Sequence, residues 1–179
     1  MRIINDNCEF VTVDLIRNID ESRSNVAIRI GYVPGTYDLL HSGHIENIKY
    51  AQNMCDIIVV GVNSDELVWK NKAKKTMQSQ DTRKFIMEHV KGVDQVILAS
   101  TNDKRVINEK IVEITGYGID AIFLGGDLKG KDAMNQEGDL DGVDYIYTPR
   151  SETKMKMVSS TVFRKSFKIF RCIWILFKY

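Results

Sequence analysis

The string Asp56-Ile57-Ile58-Val59-Val60-Gly61-Val62 is an apolar run without a polar interruption after its first residue. A strand with one face in water alternates apolar and polar residues, and this one does not. It belongs in a sheet covered on both faces, as parallel sheets are. Comparable runs recur along the chain. Residues 26–33 are rich in β-formers and end at the turn signal Pro34-Gly35; 93–98, 119–124 and 143–148 follow, the last stopped by Pro149. Helical segments fall between them. In 43–54, Ile45, Ile48 and Ala51 lie at three-residue steps. Asp81 caps a helix that runs to about residue 90, and 103–117 ends near Gly116 and Gly118. Residues 70–75 read as a polar, lysine-rich loop. Further helices are expected at 131–137 and from Ser159 or Ser160. Strands alternating with helices predict an α/β fold: a Rossmann-like, doubly wound parallel sheet of about five strands with helices on both faces.

Composition narrows what such a fold serves. The chain has 179 residues, enough for one domain with a single core. Its net charge is +1, so nothing global points to nucleic acid as a partner. Cys8, Cys55 and Cys172 are odd in number and far apart, without metal-ligand spacing. No disulfide framework or zinc site is expected, and a reducing cytoplasm fits. The N-terminus carries no sustained apolar run, so no secretory signal is expected. The apolar stretch 172–177 is far shorter than the roughly 17–25 residues that span a bilayer.

Three parts are expected: an N-terminal extension at 1–25, a main domain at 26–162, and a basic aromatic helix at 163–179. The extension reads as a short strand or an amphipathic helix. The tail holds Arg164, Lys165, Lys168, Arg171 and Lys178 with no acid, leaving 20 basic against 24 acidic residues elsewhere. Phe163, Phe167, Phe170, Trp174 and Phe177 step by four, three, four and three, one helical stripe. The stripe fits packing on the domain or on a second subunit. It equally fits peripheral contact with an anionic membrane.

In such folds, sites lie beyond the carboxyl ends of the strands. The loop after the first strand reads Gly35-Thr36-Tyr37-Asp38-Leu39-Leu40-His41-Ser42-Gly43-His44 and leads into a helix. A helix start exposes unpaired N–H groups and partial positive charge, so it draws phosphate. His41 and His44 can point the same way from the first turn and bond an α-phosphate as charge builds in the transition state. Gly35 relieves the turn, and Gly43 permits close approach. Thr36 offers a hydroxyl and an N–H to phosphates. Asp38 anchors the loop or helps to hold a metal.

The string Gly-x-Tyr-Asp-x-x-His-x-Gly-His resembles the motif of the cytidylyltransferase-like nucleotidyltransferases, most of all the bacterial glycerol-3-phosphate cytidylyltransferases. The resemblance covers about residues 28–165. It extends to Gly61-Val62-Asn63-Ser64-Asp65-Glu66, to Lys72, Lys74 and Lys75, to Arg83-Lys84, to Val93-Asp94-Gln95-Val96-Ile97 and to Gly126-Asp127. Pro149-Arg150-Ser151-Glu152 with Val158-Ser159-Ser160-Thr161 resembles a further motif, separated here by five residues, 153–157, where the family has one. Lys91 stands where the family has arginine.

The resemblance implies an enzyme in which CTP binds with Mg²⁺ and the phosphate of a small phospho-alcohol attacks the α-phosphorus in line. It implies His41, His44, Lys72 and Lys74 as catalytic. It assigns the nucleotide to Gly35, Thr36, Tyr37, Asp38, Gly43, Asp127, Arg150, Ser159, Ser160 and Thr161. It assigns the acceptor phosphate to Lys72, Arg83, Lys91 and Arg105, or Lys104 in place of the last. For Arg83 an exposed helix-start arginine is the alternative, and Asp94 reads as structural. The family also implies a homodimer. An adenylyltransferase of the same superfamily, or a non-catalytic nucleotide-binding domain, is the alternative function.

Overall fold

A computed structural model of the chain describes residues 27–125 and 140–149. Five strands lie within them: β1 (Ile30–Gly35), β2 (Ile57–Asn63), β3 (Gln95–Ala99), β4 (Ala121–Gly125) and β5 (Asp144–Thr148). The helices there are α1 (Ser42–Gln52), α2 (Asp65–Lys72), α3 (Gln80–Glu88) and α4 (Lys104–Thr115). The expected segments 1–25 and 163–179, the helix at 131–137 and the helix start at 159–160 lie outside the described residues.

The strands are all parallel, in the order β3-β2-β1-β4-β5. This is the doubly wound, Rossmann-like sheet. The chain steps outward from β1 to β3, then returns to the other side of β1 for β4 and β5. The direction of winding therefore reverses between β1 and β4, and the crevice beyond their carboxyl ends is where such a sheet binds ligands.

The three central strands, β1, β2 and β4, are buried on two faces, as their continuous apolar runs require, while β3 and β5 at the edges are only partly buried. One face packs Val33, Ile58, Val60, Ala121 and Phe123 with Ile48 and Ala51 of α1 and Met87 of α3. The other packs Ile30, Tyr32, Val59, Ile97 and Ile122 with Ile107 and Ile111 of α4.

Three aspartates lock the register at the opposite, amino-terminal edge. Asp56, Asp94 and Asp120 each immediately precede a strand. Their carboxylates accept from the backbone N–H of Arg29 (3.0 Å), Ile58 (2.8 Å) and Ile30 (2.6 Å). Each also donates its own N–H to the carbonyl of that same residue, at 2.9, 3.0 and 3.0 Å respectively. Asp94 is structural, as expected. A one-residue slip of any strand would break both bonds and turn its side chains to the wrong face.

The structure corrects three local expectations. First, β1 does not stop at Pro34-Gly35 but continues through both, in register with Gly61 and Val62 of β2. Ile30 exchanges bonds with Asp120, so the even residues of β1 direct their backbone groups toward β4. Pro34 thus leaves the β2 ladder intact and deprives only β4 of a donor. The β1–β4 pairing ends at Tyr32 and Ile122. Second, residues 70–72 are not loop but the last turn of α2. Ser64 caps α2 by accepting from Leu67 N, with Asp65 and Glu66 in the first turn and Lys70 and Lys72 in the last. Ala73, in the left-handed conformation at φ 46°, ends it. Third, α3 is capped by Ser79 rather than Asp81: the Ser79 hydroxyl accepts from Thr82 N at 3.3 Å.

Candidate active site

The first-strand loop crosses the mouth of the β1/β4 crevice and is fixed from below. Tyr37 takes φ 55° and is buried, and its hydroxyl donates to the Val33 carbonyl at 2.9 Å. Gly35 makes room for that ring, since a Cβ there would lie 2.6 Å from it. Asp38 is also buried. One oxygen, Oδ1, accepts from the N–H groups of Met77 (2.7 Å) and Gln78 (2.9 Å). Of its two expected roles, anchoring the loop is the one this geometry serves.

His41 is the N-cap of α1 and His44 lies in its first turn. Their rings stack with centroids 3.8 Å apart and planes 22° from parallel. The His41 backbone N–H donates to Nδ1 of His44 at 3.4 Å. A neutral imidazole that accepts at Nδ1 carries its proton on Nε2. Burial first, then the neighbouring His41 and Lys72, push the His44 pKa down to about 3. His44 is therefore a neutral N–H donor throughout the physiological range. The Tyr37 ring lies 5.0 Å from its centroid, and a Cβ on Gly43 would press on the His41 ring at 3.2 Å.

Lys72 reaches over from α2, and its ammonium donates to the Thr36 hydroxyl at 3.0 Å. Lys74 follows just beyond the end of α2. Thr36 is held on its other side by Arg83, whose Nη1 donates to the Thr36 carbonyl at 2.5 Å. The expected phosphate-binding or exposed arginine is thus corrected. Arg83 is fully buried, pairs with Asp65 at 2.6 Å and donates to the Gln78 carbonyl at 3.3 Å. It works on the loop through Thr36. Burial pushes the Asp65 carboxyl up, but hydrogen bonds from Arg83, Thr76 and Gln80 outweigh that and hold it below the usual range.

The fold places the other two expected substrate residues at opposite ends of the sheet. Lys91 lies ahead of β3, at the amino-terminal edge of the sheet, so the chain's own fold does not bring it to the loop. Arg105 is exposed and folds back onto Asp103, the α4 N-cap, at 3.0 Å. Its neighbour Lys104 is the buried one, donating to the Asn102 carbonyl at 2.6 Å. Asn102 in turn exchanges amide hydrogen bonds with Asn71, the residue before Lys72. Asp127, Arg150, Ser159, Ser160 and Thr161 lie outside the described residues.

Sequence reasoning missed two residues that shape the site. Asp65 was readable only as part of a motif, not as the partner of Arg83. Asn47, one turn after His44, escaped notice because a polar residue on a helix normally faces water.

This arrangement presents the neutral His44 N–H, the His41 ring, a helix N-terminus and a lysine around one crevice, a set suited to stabilising charge on phosphate oxygens. Residues 32–166 match the cytidylyltransferase-like family. The chain belongs to that family. Glycerol-3-phosphate cytidylyltransferase of Bacillus subtilis (strain 168) is 34% identical over 126 residues, covering 68% of this chain and 90% of that protein. The Staphylococcus aureus protein of the same name is 32% identical, covering 68% and 88%. The bifunctional protein HldE of Aliarcobacter butzleri is 28% identical over 74% of this chain but only 27% of its own length. Among solved structures, a lipopolysaccharide core biosynthesis protein from Thermoplasma volcanium superposes with a TM-score of 0.54 at 25% identity, over 70% of this chain and all of that one. Family membership makes the chain a nucleotidyltransferase, and the expected Rossmann-like fold is the fold observed. No helix among the described residues is long and apolar enough to cross a membrane.

Proposed function

We propose that this chain transfers CMP from CTP to a small phospho-alcohol, with glycerol 3-phosphate the foremost candidate, giving a CDP-alcohol and pyrophosphate. The observation that carries the reading is the stacked His41–His44 pair at the start of α1, facing the crevice beside Lys72. Relatives named for glycerol-3-phosphate cytidylyltransferase activity support CTP and that acceptor.

An acceptor phosphate oxygen attacks the α-phosphorus of CTP in line. A new P–O bond forms as the bond to the β-phosphate breaks, and pyrophosphate departs with the electron pair. No covalent enzyme intermediate is required, because positioning and charge neutralisation lower the barrier. His44 Nε2–H and His41 bond the α-phosphate oxygens as negative charge gathers there. Lys72 opposes the charge of the two meeting phosphates. The family implies Mg²⁺ with the nucleotide. The described residues contain no cluster of three or more His, Cys, Asp or Glu side chains suited to a metal, and Asp38 is committed to backbone N–H groups. They do not fit a preformed cage for the ion.

The test is pyrophosphate release from each of the four NTPs with glycerol 3-phosphate, ribitol 5-phosphate, phosphocholine and phosphoethanolamine. Release with CTP and glycerol 3-phosphate is expected. Release confined to ATP moves the chain to adenylyl transfer. Release from none leaves a non-catalytic nucleotide-binding domain.

A further inference from the structure

We infer that Asn47 and Thr148 form a latch that sets the geometry of the nucleotide crevice, with Asn47 a positioning residue for the His41–His44 pair. The inference rests on the nucleotidyltransferase reading above.

The crevice exists because two strands part. The β1–β4 ladder ends at Tyr32–Ile122, and in continued register the next donor to β4 is the nitrogen of Pro34. Proline has no N–H to give. The β4 carbonyl at that level, Phe123, is served instead by Nδ2 of Asn47 at 3.4 Å. The opening between β1 and β4 is therefore spanned by a side chain of α1.

The other end of the same amide reaches β5. The Thr148 hydroxyl donates to Oδ1 of Asn47. The two bonds fix the amide orientation, since only the nitrogen can donate to a carbonyl. Asn47 thus joins α1 to β4 and β5 at once. It lies three residues, about one turn, beyond His44, on the helix whose start holds the histidine pair. Thr148 is buried and is the last residue of β5, directly before Pro149. The latch consequently ties the helix bearing the histidines to the carboxyl end of β5. An apolar pair would fill the same space by packing, but only directional hydrogen bonds define the angle between the two elements.

The test uses the full chain. Thr148→Val keeps the shape and removes the hydroxyl, while Thr148→Ser keeps the hydroxyl. Thr148→Val is expected to raise the KM for CTP about fivefold or more, the scale of one buried hydrogen bond, with a smaller change in kcat. Thr148→Ser should stay within about twofold of wild type. Asn47→Ala loses both bonds and should be at least as severe as Thr148→Val, and the double variant should be no worse than Asn47→Ala, because Thr148 acts through Asn47. In ligand-free protein, the ring nitrogen NMR signals of His41 and His44 should move in Thr148→Val and not in Thr148→Ser. Should Thr148→Val fail to fold, Asn47→Ala against Thr148→Ser carries the comparison. Wild-type KM with unmoved histidine signals in Thr148→Val, or additive effects in the double variant, overturns the latch. A wild-type protein inactive with every nucleotide sinks the functional reading alone; the histidine signals still decide the latch.

Discussion

The His41 backbone N–H points at Nδ1 of His44, and the two rings stack at 3.8 Å. One contact thus starts the helix, orients the second ring and selects its tautomer. The loop beneath is held by Tyr37 and Asp38, so the pair is preorganised before any nucleotide arrives. Preorganised donors are worth most where charge develops in the transition state.

His44→Ala should therefore lower kcat by about 10²–10³-fold, the usual loss of one such donor. Its far-UV circular dichroism should remain that of wild type. Near wild-type turnover in a folded His44→Ala protein would sink the proposed mechanism.

The depressed pKa of His44 has its own signature in stability. Below about pH 6.5 the unfolded chain binds a proton at this residue, whereas the folded chain resists until about pH 3. The contribution of His44 is whole above pH 6.5 and is lost as pH falls between those values. His44→Asn should flatten the decline of Tm over this window. A parallel decline in both proteins would show that His44 titrates normally in the fold.

Lys72 raises the cost of protonating His44, so the two residues are coupled. Lys72→Met should raise the His44 pKa in an NMR titration and lower kcat/KM. Lys72→Arg should keep much of the first effect of lysine, because the charge remains, but recover activity poorly, because its head is larger and planar. An unmoved His44 pKa in Lys72→Met would separate the lysine from the site.

The order of the strands and of three helices, α1, α3 and α4, was legible in the sequence because strand burial leaves continuous apolar runs and helices a three- to four-residue spacing, and boundaries fell within a few residues of those observed. The His41–His44 loop was legible because its residue types recur at fixed spacing. Arg83 was not. An arginine near a helix start looks the same whether it faces water or is buried against a carboxylate, and only the fold brings Asp65 and the Thr36 carbonyl to it. Lys91 was misplaced for a related reason: matching a motif gives position along the chain, not the end of the sheet on which a residue falls. The α2 helix was missed although Ser64-Asp65-Glu66 is a start signal, because the lysines that end it dominated the reading. The aspartates that precede three apolar runs were visible, but only pairing reveals that they bond across strands.

Asp65 is about half exposed, whereas its partner Arg83 is fully buried, so the two ends of this ion pair are not equivalent. Asp65→Ala strands a guanidinium in the core. Breaking a buried pair costs about 3–5 kcal/mol, and the exposure of Asp65 places this one near or below the lower end. Arg83→Met leaves the carboxylate in water and should cost less stability. It frees the Thr36 carbonyl all the same, so kcat/KM should fall in both variants. Urea unfolding gives the order: an Arg83→Met protein less stable than Asp65→Ala would contradict the asymmetry.

Tyr32 and Gly61 face each other across β1 and β2, and a Cβ on Gly61 would lie 2.0 Å from the Tyr32 hydroxyl oxygen and 2.5 Å from Cζ. Gly61 is thus the space that lets a tyrosine sit inside the sheet's packing. Gly61→Ala should destabilise by about 1–3 kcal/mol, the range for overpacking a core. The Tyr32 hydroxyl is buried without a hydrogen-bond partner among the described residues, and burial drives its pKa up. An unsatisfied buried hydroxyl carries its desolvation cost unrepaid. Tyr32→Phe should therefore leave stability unchanged or raise it by up to about 1 kcal/mol. In the Gly61→Ala background the same change should recover part of the loss, because it removes the atom in closest conflict. Chemical denaturation of the four proteins closes the cycle: a Tyr32→Phe variant less stable than wild type by more than about 1 kcal/mol would mean that the hydroxyl has a partner.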